Sequence, residues 1–256
     1  TRRPPEFLLT HPLSETRISD AKNQARKYAD QVQLEDNAEN QRDDFDYQLM
    51  RSRAREHFVT VPGAEIKTYR NKLEDDPHDL TVQYALALSL SKNKEHTEAV
   101  QLVENLYRQN PNSVLYTGAL AEVLINAERH IEAQRLLTAT LQLYPGNFPL
   151  EMLLGQSKIA TKDFIEAELL LENQAKRRPN DVNVWYELAE TSGLAGNVTG
   201  VHLARAEYFY LNGAFHRAIQ HLEYAQRLVD DANQQLEAKL TQKIQDLRTE
   251  IRRANS

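Results

Sequence analysis

The sequence predicts an all-α solenoid of paired helices, closed by a capping helix at its C-terminal end. Three periodic features predict it. Proline falls at Pro77, Pro111, Pro145 and Pro179, each 34 residues after the last. The dipeptide Glu-Ala falls at Glu98-Ala99, Glu132-Ala133 and Glu166-Ala167 with the same spacing. Leucine followed by a small residue falls at Leu86-Ala87, Leu120-Ala121, Leu154-Gly155 and Leu188-Ala189. A fixed period of this size marks stacked helical units, each too small to bury its own apolar face alone.

Each repeated position has a physical reason. The small residue after leucine lets two helices approach closely, and the alanine of Glu-Ala does the same on the second helix. Leucines at helical spacing fill the space between them. Proline then ends the second helix, because it lacks an N–H and drives the residue before it toward extended backbone.

The pattern loosens at both ends. Before Pro77, "FDYQLMRSRAREHF" and "AEIKTYRNKLEDDP" form a degenerate pair broken at Val61-Pro62-Gly63. After Trp185, "GLAGNVTG" separates a helix from "VHLARAEYFYLNG". Asn212-Gly213 then makes another inter-helix turn, with Ala218 in the role of the Glu-Ala alanine. Leu236, Leu240, Ile244, Leu247 and Ile251 fall at spacings of 4, 4, 3 and 4, one apolar stripe on a long last helix. Such a stripe reads as a cap over the final repeat; a dimerising coiled coil is the alternative, weakened by a length under three heptads. The expected organisation is a tail and linker helix over residues 1–35, a solenoid over 36–231 and a capping helix over 232–256.

Composition bounds the function. The 256 residues are 41% hydrophobic and 27% charged, with a net charge of −6, which argues against general affinity for nucleic acid. No apolar run approaches the roughly 20 residues of a membrane span, so no transmembrane segment is expected. Cysteine is absent, which excludes disulfides and thiolate metal sites. The opening "TRRPPEFLL" has neither an initiator methionine nor a signal-peptide pattern, so the expected reading is a fragment of a longer protein. His202, His216 and His221 invite a metal reading, but a spacing of five sets the latter two about 140° apart on a helix, which favours surface positions. "AEYFYL" at 206–211 holds three consecutive aromatics, of which at least one must face the core.

The 34-residue pattern resembles the tetratricopeptide repeat, a helix–turn–helix unit that stacks into a solenoid. Trp185, Leu188, Ala189 and the series Ala99, Ala133 and Ala167 fall at that family's signature positions. A second resemblance lies in the tail. Leu8-Leu9-Thr10-His11-Pro12, followed by Arg17, resembles the end of the peptidase domain in periplasmic HExxH zinc metallopeptidases with a C-terminal tetratricopeptide domain. The β-barrel assembly-enhancing protease family of Gram-negative bacteria is the type it is most similar to. The resemblance implies a periplasmic protein whose parent is a zinc peptidase, with residues 1–35 including the end of its peptidase domain. His11 would then approach or ligate the metal in the presence of that domain, and Arg17 would support the loop.

HExxH itself is absent; the nearest strings, "REHF" at 55–58 and "KEHTEA" at 94–99, do not match it. No catalytic residue and no cofactor is therefore expected in this chain, and zinc belongs to the parent protein. By the same resemblance the first helix of each repeat lines an inner groove. Tyr84, Leu88 and Lys92 map there, followed by Glu122 and Asn126, then Met152 and Gln156, then Tyr186 and Glu190. The set is polar and aromatic, without the clustered basic residues that clamp a terminal carboxylate in chaperone-binding relatives. It suits an extended or partly folded polypeptide. The implied partners are the outer-membrane assembly machinery and its client proteins. One alternative is an intramolecular regulator acting on its own peptidase domain through the His11 loop; the other is a generic tetratricopeptide scaffold.

Overall fold

A computed structural model describes residues 19, 22–24, 38–230 and 233–254. The chain divides into two compact units, residues 1–48 and 49–256. In the first, residues 19 and 22–24 are helical, and 38–48 begin a helix. The described residues contain no strand. Their helices are α1 (Ala38–Phe58), α2 (Pro62–Asp75), α3 (Leu80–Lys92), α4 (His96–Gln109), α5 (Val114–Asn126), α6 (His130–Leu143), α7 (Phe148–Ala160), α8 (Phe164–Arg177), α9 (Val182–Leu194), α10 (Val198–Leu211), α11 (Phe215–Leu228) and α12 (Gln234–Ala254). From α2 onward each helix packs on the next, and α3 also packs on α5, and α5 on α7.

The punctuation read from the sequence sets these boundaries. Helices α2, α4, α6 and α8 end at Asp75, Gln109, Leu143 and Arg177, two residues before each periodic proline. The residue between, such as Asp76 at φ −134° and ψ 91°, has left the helical region, as the residue before a proline must. Helices α3, α5, α7 and α9 then open on Asp79, Ser113, Asn147 and Asp181, whose side chains accept hydrogen bonds from backbone N–H groups of the first turn.

Inside each pair the turn has a different chemistry. Lys94, Glu128, Lys162 and Gly196 take positive φ, 67°, 59°, 66° and 79°. The following N–H closes back five residues, Glu95 to the Leu90 carbonyl at 2.9 Å and Asn197 to Ser192 at 2.9 Å. This is a Schellman ending, in which a left-handed residue satisfies the last carbonyls of a helix. The small residues are buried as expected: Ala87, Ala99, Ala121, Ala133 and Ala167 are fully enclosed. The largest buried side chains are Tyr84 and Tyr116, with ring centroids 6.1 Å apart.

The period breaks at α10. Position 213, 34 residues after Pro179, is glycine and not proline. Gly213 takes φ 72°, and Ala214 N–H donates to the Phe209 carbonyl at 2.8 Å, a fifth Schellman ending. Helix α10 therefore lies between two turns of the intra-pair type. It is the second helix to α9 and the first helix to α11. Helix α12 covers the exposed side of α11: Leu240, Ile244 and Leu247 bury against Ile219, Leu222 and Ala225, with Leu236 and Ile251 flanking.

Candidate functional site

The positions mapped from the sequence separate into a covered stretch and an open one. The covered stretch begins at α3. Tyr84 is fully buried and Leu88 nearly so. Residues 49–58, the C-terminal half of α1, provide the cover. Arg53 donates to the Tyr84 hydroxyl at 3.4 Å and forms an ion pair with Glu122 on α5. Glu56, buried, accepts from the hydroxyls of Tyr69 on α2 and Ser89 on α3. Lys92 ends α3 against the last turn of α1, donating from Nζ to the Glu56 carbonyl at 3.0 Å and to those of His57 and Val59. These carbonyls are the negative end of a helix, where a lysine is favourable.

The electrostatics follow this packing. Burial pushes the Tyr84 hydroxyl above its ordinary pKa, with the Arg53 charge opposing. Burial alone would lower the Arg53 guanidinium, but Glu122 and Tyr84 hold it above its usual value. Burial and the bond to Glu56 raise Tyr69 strongly. All three keep their neutral-pH charge states. What remains between α1, α3 and α5 is a cleft of about 530 Å³, bordered by Met50, Arg53 and His57 on one side and Leu88, Lys92 and Asn126 on the other. Asn126 is exposed and donates to Ser91 at 3.0 Å.

The open stretch lies on α7 and α9. Gln156 is exposed, and Tyr186 is 50% exposed. Met152 is half-buried and packs on the core of α8 and α9 beside Trp185. Glu190 pairs with Arg205 of α10 at 3.3 Å. Tyr208, also on α10, sets its ring 5.8 Å from Tyr186 at 53°. An aromatic pair at this separation presents two faces to solvent-borne groups. Of the nine mapped positions, Tyr84 does not reach solvent and Leu88 meets it only at the cleft, because α1 and the neighbouring helices enclose them.

Arg53 and Arg205 belong to this surface without a sequence signal of their own, whereas Tyr208 lies in the aromatic run at 206–211. They stand on α1 and α10, outside the first-helix positions that the period marks. Of the aromatic run, Tyr208 and Phe209 are half-buried and Tyr210 is exposed. His221, read against His216 in the sequence, instead meets His202 across α10 and α11, with their Nδ1 atoms 3.0 Å apart. His11 and Arg17 lie outside the described residues. Among the described residues no group of three His, Cys, Asp or Glu side chains converges, so they do not fit a zinc-peptidase centre. No described helix is long and apolar enough to cross a membrane.

Comparison with known proteins agrees with this architecture. The tetratricopeptide-repeat family profile matches residues 124–191. A crystal structure of a thermophilic TPR protein from Thermus thermophilus superposes with a TM-score of 0.53 at 16% identity, over 70% of this chain and 97% of that one. Residues 124–191 thus carry tetratricopeptide repeats, within an array that has the fold of such proteins. Along most of its length the chain also resembles beta-barrel assembly-enhancing proteases. A putative one from Vibrio cholerae is 31% identical over 231 residues, 89% of this chain and 46% of the relative. Another, from Yersinia pestis, is 26% identical over 223 residues, 85% of this chain and 43% of the relative. The chain spans less than half the length of these relatives.

Proposed function

We propose that this chain is the protein-docking part of a periplasmic zinc metalloprotease that serves outer-membrane protein assembly and quality control. What supports this reading is the exposed surface of α7 and α9 at Gln156 and Tyr186. Gln156 offers amide donors and acceptors, and the rings of Tyr186 and Tyr208 offer apolar faces, while the α3 end is already covered by α1. An extended segment gains backbone hydrogen bonds from such amides and side-chain contacts from such rings. The cation beside them, Arg205, is held by Glu190, which does not favour a carboxylate clamp. The names of the relatives, proteases linked to β-barrel assembly, supply the client class: unfolded or partly assembled outer-membrane β-barrels. In this reading the chain itself performs no hydrolysis; zinc and catalysis belong to the rest of the parent protein.

The test is binding of this chain to a urea-unfolded outer-membrane β-barrel polypeptide, followed by fluorescence anisotropy on rapid dilution. The triple substitution Q156A/Y186A/E190A is expected to weaken binding at least tenfold. Equal affinity of the triple variant and the wild type would overturn the assignment of this face.

A further inference from the structure

A second feature has no part in the docking surface. His202 on α10 and His221 on α11 bring their Nδ1 atoms to 3.0 Å, with ring centroids 5.3 Å apart. Three aromatic contacts fix the two rings. Phe209 stacks on His221 at 5.3 Å and 20°, and Tyr224 meets His202 at 5.2 Å and His221 at 6.0 Å. Both imidazoles are half-buried, so their rotamers are set by packing and not by solvent.

We propose that His202 and His221 form a two-imidazole binding site for a divalent first-row transition ion, with water completing the coordination. Two imidazole nitrogens bind such an ion at about 2.0–2.1 Å each. Nitrogens 3.0 Å apart then subtend roughly 95° at the metal, near the cis angle of octahedral or tetragonal ions and well below the tetrahedral angle. The site accordingly suits Ni²⁺ or Cu²⁺ better than Zn²⁺. Without metal, one Nδ1 carries the proton and donates to the other. On binding, both rings take the Nε2–H tautomer and both Nδ1 lone pairs face the ion, with no net change in charge on the ligands.

The surroundings set the strength. Arg205 on α10 opposes a dication, but Glu190 on α9 pairs with it at 3.3 Å. Arg217 on α11 lies over the ring of Phe209, 5.6 Å from its centroid. Burial and the Arg205 charge both hold the two histidines below their ordinary pKa, so the ligands are deprotonated at neutral pH. No third His, Cys, Asp or Glu joins them among the described residues, so the affinity is that of a chelating pair and not of a closed site.

The test is calorimetric titration of the whole chain with NiCl₂ at pH 7.5. One equivalent is expected to bind, at least tenfold more weakly in each of H202A and H221A and unchanged in H216A. An affinity independent of His202 and His221 would overturn the site. A second readout needs no variant: one equivalent of Cu²⁺ on the wild-type chain should give an electron paramagnetic resonance spectrum with hyperfine coupling from two imidazole nitrogens. Coupling from one nitrogen or none would also overturn it.

Discussion

Arg53 on α1 and Glu122 on α5 form an ion pair, 69 residues apart in the chain. The pair ties α1 to α5 over the buried Tyr84, and so keeps that side chain covered.

The pair is expected to couple measurably. Its side chains are each about one-third exposed, so solvent screens it, and a double-mutant cycle of R53A and E122A should give about 0.5–1 kcal/mol. Tyr84→Phe removes only a long hydrogen bond and should cost about 0.5–1 kcal/mol. Tyr84→Ala empties a fully buried site and should cost about 3–5 kcal/mol. Urea denaturation of these variants and the wild type checks the values.

Lys92→Met is expected to loosen the cover locally without unfolding the array. It removes the donor to the carbonyls at 56, 57 and 59 while keeping most of the alkyl volume. Hydrogen exchange should accelerate over residues 53–60 and stay at wild-type rates in α7 and α9. Uniform acceleration along the chain would show that Lys92 supports the whole solenoid.

The intra-pair turns give a prediction of opposite signs. Glu128 holds φ at 59°, which costs a side-chain-bearing residue roughly 1 kcal/mol. Glu128→Gly should therefore raise stability by about 0.5 kcal/mol after the added entropy of the unfolded glycine. Gly196→Ala imposes the same strain at φ 79° and should lower it by about 1 kcal/mol. Nothing lies near the Gly196 Cβ position, so conformation alone sets the sign there. Thermal unfolding of both variants reads the difference.

The repeat was legible because its punctuation is local. Proline, a capping Asp, Ser or Asn, and a small residue each act on their own few neighbours, so one chain reports them directly. The break at α10 was half legible: an inter-helix turn at Asn212-Gly213 could be read, but only packing assigns α10 to both neighbours. The cover over Tyr84 was not legible, since Arg53, Glu56 and Lys92 meet their partners across 13 to 69 residues with no periodic signature. The histidine pair escaped for the same reason. Spacing along α11 set His221 against His216, whereas its neighbour lies on the preceding helix.

Stability should fall as the pH drops below about 6.5, the ordinary histidine value. Burial first, then Arg205 and, for His221, the neighbouring His202, depress both pKa values in the fold. The unfolded chain therefore takes up protons at a higher pH than the folded one. The contribution is complete above 6.5 and is lost as pH falls through the depressed values. The double variant H202Q/H221Q should flatten the urea midpoint between pH 7.5 and pH 5; an unchanged slope would place the titrating groups elsewhere.

The most direct test of the central claim is site-specific photo-crosslinking in cells, with the probe placed in turn at Leu88, Glu122, Gln156 and Tyr186 of the parent protein. Adducts with outer-membrane assembly components or unfinished β-barrels are expected from Gln156 and Tyr186, with only weak ones from Leu88 or Glu122 in the cleft beside α1. Partner adducts from Leu88 and Glu122 as strong as those from Gln156 and Tyr186 would contradict that claim.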